Sequence, residues 1–271
     1  MVNKKDYLQK KNKVSISEKQ RDWCLDCRRP NKNCLCHHMR PFNTHVKIIL
    51  LMHPKEAKKQ RVGTGRMTHR ILTNSQVIMG VDFTHDAQFN KYLNRDKYLP
   101  LLLYPGDSAF NLSETKVDQW ELKEEYRKKT PVIFVLDGTW PCAKKMIRLS
   151  KNLQELPRVC FTNSSPSQFA IKHQPHEACL STIESVHLLL KELEKGKLEK
   201  LEGREENLIY VFQKLVDFQL KCAQDPELPS YRGTKRDSQK KELKVRYKKN
   251  RSFFLKEDYK PDNPTGTRKK Q

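Results

Sequence analysis

The chain of 271 residues carries 54 lysines and arginines against 32 aspartates and glutamates, a formal net charge of +22. That excess points to a polyanionic partner, nucleic acid ahead of an anionic membrane surface. No apolar run approaches the roughly 18 to 20 residues that span a bilayer, and the Lys-rich start has no apolar stretch after it. The expectation is therefore a soluble intracellular protein, cytoplasmic or, in a eukaryote, nuclear, with no membrane partner and no protein partner called for. The length suits one sizeable core with appendages. Eight cysteines, four of them crowded into one short segment, suit a metal better than the disulfide framework of a small secreted domain.

Residues 1–22 hold Lys4, Lys5, Lys10, Lys11, Lys13, Lys19 and Arg21 among few apolar side chains, which predicts a basic disordered arm. Residues 23–40 form the next unit. Cys24-x-x-Cys27, then six residues, then Cys34-x-Cys36 can surround a Zn²⁺ tetrahedrally, and a loop so poor in apolar residues needs the metal to hold a fold. Four sulfurs leave no open coordination position, so the expected zinc is structural; His37 or His38 could stand in for one sulfur.

A single α/β domain is expected over 41–224, followed by a basic tail. His45–Met52 reads as the first core strand, stopped by Pro54, and Gly63 and Gly65 free the backbone before a helix that starts near Arg66 and turns Met67, Ile71 and Leu72 inward. A glycine-bearing loop at a helix N-terminus suits an anionic or polar ligand. Gln76–Phe83 alternates as a second strand, Asp86–Lys97 reads as a polar, exposed connection, and Pro100–Tyr104 gives a third strand.

The stretch Thr130–Met146 organises the rest. Val132–Leu136 is a β-branched and aromatic run that predicts a strand buried on both faces, with Asp137 at its carboxyl end. Gly138 permits a tight turn, Thr139 can cap the next helix, and Pro141 suits a first helical turn. In an open α/β sheet ligands bind at that edge, so a carboxylate, a hydroxyl and the Trp140 indole released together there form a candidate site. The same residues equally fit a capped turn with Trp140 as a core plug. Pro157–Thr162 comes next as a strand, and Ser181–Leu201 and Arg204–Cys222 carry apolar stripes at helical spacing. In the tail, 225–271, basic residues such as Lys240, Lys241, Lys248 and Lys249 alternate with Tyr231, Tyr247, Phe253 and Phe254, a mixture suited to phosphates and unstacked bases.

Cys24-x-x-Cys27 with Cys34-x-Cys36, His53-Pro54-x-Glu56 leading to Thr64-Gly65-Arg66, Asp137-Gly138-Thr139-Trp140, Leu156-Pro157-Arg158 and Leu180-Ser181-Thr182-Ile183-Glu184 occur in this order. In them the chain resembles the DTW-domain proteins, tRNA-uridine aminocarboxypropyltransferases related to the SPOUT-type RNA methyltransferases. The likeness covers about residues 23 to 200. It implies a SPOUT-like sheet with helices on both faces and a trefoil knot around an S-adenosylmethionine pocket; the hydropathy pattern alone would suggest no knot. It further implies transfer of the donor's 3-amino-3-carboxypropyl group to N3 of a tRNA uridine, with release of methylthioadenosine. Asp137 is then expected as general base or as orienter of the donor's ammonium group, and Trp140 as a surface against uracil or a wall of the pocket. Ser181 and Thr182, at a helix N-terminus, are expected on the donor with Thr139, Gly65 and Arg66. Pro141 and Cys142 stand where many members carry an arginine after the tryptophan. Two other readings stand beside this one, an S-adenosylmethionine-dependent RNA methyltransferase and a non-catalytic zinc-dependent RNA-binding protein, and the latter has no need of a carboxylate at a strand end.

Overall fold

Six strands lie parallel in one sheet of the computed structural model, which describes residues 24–27, 29–59, 63–163, 165–169 and 179–224. The basic arm and tail expected at 1–22 and 225–271 lie outside the described residues. The strands are β1 (Lys47–Met52), β2 (Ser75–Met79), β3 (Tyr98–Leu103), β4 (Phe110–Asn111), β5 (Thr130–Asp137) and β6 (Arg158–Cys160), in the order β2-β1-β5-β3-β6-β4. The helices are α1 (Pro54–Lys59), α2 (Thr64–Ile71), α3 (Ala87–Asn90), α4 (Lys123–Lys128), α5 (Trp140–Leu149), α6 (Lys151–Gln154), α7 (Thr182–Lys195) and α8 (Glu206–Gln224). No helix among the described residues is long and apolar enough to cross a membrane.

Continuous apolar runs in β1 and β5 have a plain cause: the sheet is covered on both faces. Ile48, Leu50, Ile133 and Val135 point into a core shared with Met67 and Ile71 of α2, Ile183 and Val186 of α7, and Leu208 and Phe212 of α8. Their sequence neighbours Ile49, Leu51, Val132 and Phe134 point the other way, against Phe89 of α3, Met146 of α5 and Leu153 of α6. The fold is thus mixed α/β with a parallel sheet between helical layers. β5 lies between β1 and β3, and its register places Asp137 opposite Met52, the last residue of β1.

Several elements depart from the sequence reading. β2 ends at Met79 because the chain turns at Gly80, where a Cβ would sit 2.7 Å from the Phe83 ring; Phe83 then enters the core from a bend, its amide held by Ser150 Oγ. Asp86–Lys97 is not an exposed connection. Asp86 caps α3 by accepting the Phe89 amide at 2.8 Å, and a 3₁₀ turn at Lys91–Leu93 follows, so that Phe89 and Tyr92 are buried. Pro54 begins α1 as well as ending β1. α7 stops at Lys195, short of Leu201, and the link to α8 passes through left-handed backbone at Lys197, Glu202 and Gly203.

The N-terminal cysteine segment is docked on the sheet domain. Leu35 is buried in the first core and Met39 packs against it, while Asn207 of α8 accepts the Arg40 amide at 2.8 Å and donates to the His38 carbonyl at 3.1 Å. The entry to β1 is clamped by the buried Glu199, which accepts the amides of Val46 at 2.5 Å and His45 at 3.0 Å. Removing that carboxylate strands two amides, so Glu199→Ala is expected to cost on the order of 2 to 3 kcal/mol. A urea midpoint unchanged from the parent protein would contradict this.

Candidate active site

Asp137 closes β5 at the carboxyl edge of the sheet and is only 4 % exposed. Its carbonyl accepts the His53 amide at 2.9 Å, which ties the ends of β1 and β5 together. Its Oδ1 accepts the Thr182 hydroxyl, at the start of α7, at 2.6 Å. Gly65, in the first turn of α2, lies so near that a Cβ there would be 2.3 Å from Oδ2. One carboxylate is therefore met by the N-terminal turns of two helices, where the partial positive charge of the free amides complements an anion. Glycine at 65 follows from this close approach and not from backbone dihedrals.

Of the residues singled out in the sequence, Gly65, Asp137 and Thr182 are brought into contact. Ser181 caps α7: its amide donates to Glu184 at 2.8 Å and its hydroxyl to the same carboxylate at 2.5 Å. Glu184 also takes the Gln168 amide and the Ser167 hydroxyl, both at 2.8 Å, which fastens a loop to the helix start. Thr139 is exposed at the N-terminus of α5, where its carbonyl accepts the Ala143 amide. Arg66 directs Nη2 to the Ala57 carbonyl at 2.7 Å, so it meets the site through its backbone at the start of α2. Trp140 is half-buried rather than a core plug, with its ring 6.5 Å from that of Tyr104, and the Arg158 guanidinium lies 5.6 Å from the Tyr104 ring on its other contact. Tyr104 directly follows β3 and packs with Leu136 against the second core, so this aromatic and cationic group lies at the same carboxyl edge of the sheet as Asp137.

His53, Tyr104 and Arg158 were assigned no role from sequence. His53 is buried one residue beyond β1, its Cβ 3.4 Å from where a Cβ would sit on Gly138. Burial, helped by Lys55 and Lys145, pushes its imidazole below the usual histidine range. Nδ1 accepts the Lys55 amide at 3.1 Å, so the neutral ring carries its proton on Nε2. The available signal was positional: His53 leaves β1 as Gly138 leaves β5, at the edge where parallel sheets bind ligands.

The four N-terminal cysteines form a separate centre. Sγ atoms of Cys24 and Cys36 are 3.8 Å apart, those of Cys27 and Cys34 are 3.7 Å apart, and all four lie within 4.8 Å of one another. A tetrahedron with Zn–S bonds of about 2.3 Å has edges of roughly 3.8 Å, so the spacing fits zinc. The Cys36 amide donates to Cys34 Sγ at 3.4 Å. The Cys27 amide draws the Cys24 thiol down to about 7, whereas burial pushes Cys34 and Cys36 up. A cation must therefore displace protons to occupy the cluster, and four sulfurs leave no position for a reacting ligand. His37 and His38 are outside the sulfur cluster; their rings pack on each other, and His38 meets Tyr210 edge-on.

The family model of the DTW domain matches residues 21–220. Among curated relatives, tRNA-uridine aminocarboxypropyltransferase 2 of Macaca fascicularis is 30% identical over 210 residues, covering 74% of this chain and 65% of the relative. The Mus musculus protein of the same name is 30% identical over 215 residues, 74% of this chain and 64% of the relative. The chain thus spans just under two thirds of the length of these two mammalian proteins. tRNA-uridine aminocarboxypropyltransferase A of Arabidopsis thaliana is 26% identical over 221 residues, 74% of this chain and 82% of the relative. No solved structure matches.

Proposed function

The chain belongs to the DTW domain family, and from that premise we propose that it transfers the 3-amino-3-carboxypropyl group of S-adenosylmethionine to N3 of a tRNA uridine. The observation that carries this reading is Asp137, a buried carboxylate held by the Thr182 hydroxyl at the edge where two helix N-termini converge. In the reaction the N3 lone pair attacks the donor's terminal propyl carbon and the carbon–sulfur bond breaks. Sulfur takes the electron pair and leaves in methylthioadenosine, and the N3 proton passes to a base. The sulfonium makes that carbon electrophilic, so the protein's work is to orient both substrates, exclude water and take the proton.

In this assignment Asp137 is the base or the partner of the donor's ammonium. Thr182 aims it, and the first turns of α2 and α7, with Gly65, Arg66 and Thr182, receive the donor's carboxylate through free amides, while Ser181, its amide and hydroxyl taken by Glu184, holds the start of α7 in place. Thr139, exposed at the N-terminus of α5, is in this assignment a further contact to the donor. The half-buried Trp140, backed by Tyr104, offers a face for uracil. Neutral His53 is a donor at Nε2, suited to a carbonyl oxygen of the base. Return of α7 to the end of β5, after β5 has entered between β1 and β3, supports a SPOUT-like knotted pocket. The excess of basic residues supports tRNA as the polyanion.

Gly65→Ala tests the geometry. A Cβ within 2.3 Å of Oδ2 must displace a carboxylate that Thr182 pins, and turnover is expected to fall at least about tenfold, roughly 1.4 kcal/mol, with circular dichroism unchanged. Full turnover would remove Asp137 from the reacting centre. The function itself is tested by incubating unmodified bulk tRNA with S-adenosylmethionine and weighing the released nucleosides. The expected product is uridine heavier by one aminocarboxypropyl group. A methylated base with S-adenosylhomocysteine would instead make the protein a methyltransferase, and an unaltered RNA would make it a binding module.

A further inference from the structure

A cavity of about 430 Å³ opens between the cysteine segment and α2, lined among others by Arg29, Arg66, Arg70, Leu25, Met52 and Met79. Its size is within the range that encloses a nucleotide-sized ligand. Arg29 is 8 % exposed, and the charges that act on its guanidinium are those of the Cys27, Cys34 and Cys36 sulfurs. Arg70 leaves Nε buried without a partner among the described residues, while Nη2 reaches the exposed Asp26 at 3.3 Å. His69, also on the wall, is pushed below its usual range by burial and by Arg70, and so adds no charge of its own. Three arginines thus line one space, Arg66 with Nη2 held by the Ala57 carbonyl, and the anionic groups beside them are the Asp26 carboxylate and the cysteine sulfurs. At the rim stand two exposed apolar side chains, Leu25 at 93 % and Met79 at 62 %.

From this we infer that the cleft is a subsite for the RNA strand, taking the phosphodiester and base of a nucleotide that flanks the target uridine. The inference rests on the proposed function for the identity of the RNA. Place and charge both argue for it. Met52 on the cleft wall is the register partner of Asp137, and Arg66 directly follows the glycine that abuts the Asp137 carboxylate, so a strand whose uracil reaches Asp137 passes here. S-adenosylmethionine, with a sulfonium and an ammonium against one carboxylate, is net cationic and poorly matched to three arginines. A phosphodiester is well matched to them, and Leu25 and Met79 can cover the face of an unstacked base. The cysteine segment then does more than close a fold: it supplies one wall of the RNA site.

The test uses the full-length, zinc-loaded protein with unmodified tRNA, read by binding and not by turnover. Arg70→Gln is expected to weaken tRNA binding roughly threefold or more and to lower the slope of log K against log salt by about one. Zinc content and S-adenosylmethionine affinity are expected to stay at parent values. Leu25→Glu, at a side chain too exposed to support the fold, is expected to weaken tRNA binding without zinc loss, which keeps the inference testable if Arg70→Gln releases metal. Unchanged affinity and slope in Leu25→Glu and in a zinc-replete Arg70→Gln would overturn it, leaving the arginines as counter-charges to the sulfurs. A fall in donor affinity with normal tRNA binding would overturn it equally, by assigning the cleft to the donor. Because binding is the readout, RNA that binds here yet is never modified would contradict the proposed function and leave the subsite standing.

Discussion

Asp137→Asn is expected to lower turnover by roughly a hundredfold or more while tRNA affinity changes little. The substitution is nearly isosteric, and the asparagine carbonyl can still accept the Thr182 hydroxyl that reaches Oδ1 at 2.6 Å. What it removes is the charge and the ability to take a proton. If Asp137 is the base that deprotonates uracil N3, S-adenosylmethionine binds normally and only the chemical step slows. If it instead grips the donor's ammonium, donor affinity falls along with turnover, and a calorimetric titration separates the two roles. An Asn variant with parental turnover and donor affinity would reduce Asp137 to a structural cap between β5 and α7.

Loss of the metal is expected to have the largest effect on stability. The purified protein should hold about one zinc per chain, and Cys24→Ser or Cys34→Ser should release it. The segment carries few apolar residues of its own, but Leu35 and Met39 contribute to the sheet-domain core and the His38 carbonyl is held by Asn207, so releasing the metal exposes part of that core as well. A cost of about 3 kcal/mol or more is expected, which for a domain of this size lowers the melting temperature by roughly 6 to 12 °C. Removal by a chelator should do the same and be reversed by zinc. Protein that contains no zinc under reducing conditions and melts at the same temperature as its Cys→Ser variants would contradict a metal centre.

The parts of this site legible in the sequence are those written into short stretches. Four cysteines within thirteen positions announce a cluster able to hold a metal, and an apolar run ending in Asp137 announces a buried strand and the place of its carboxyl edge. The meeting of Gly65, Asp137 and Thr182 is a different matter. The residue types were visible, but they are far apart in the chain and converge only because parallel strands send every connection back to the same edge. Phe89 and Tyr92 were hidden by length: two aromatics in a polar frame are too few to show a period, and only the cavity they fill over Phe134 explains them. Trp140 illustrates the opposite case, since its position after Asp137 suggested both a plug and a site wall, and its partial exposure beside Tyr104 favours the wall.

Transfer of the aminocarboxypropyl group at this edge is tested most directly by following the donor's carbons. Two preparations of S-adenosylmethionine, one labelled in the methyl carbon and one in the aminocarboxypropyl carbons, are each incubated with the protein and unmodified tRNA. The aminocarboxypropyl label is expected to enter uridine in the RNA while the methyl label stays with methylthioadenosine, and Asp137→Asn is expected to suppress the transfer. Methyl label in the RNA, with the aminocarboxypropyl label left in S-adenosylhomocysteine, would contradict it.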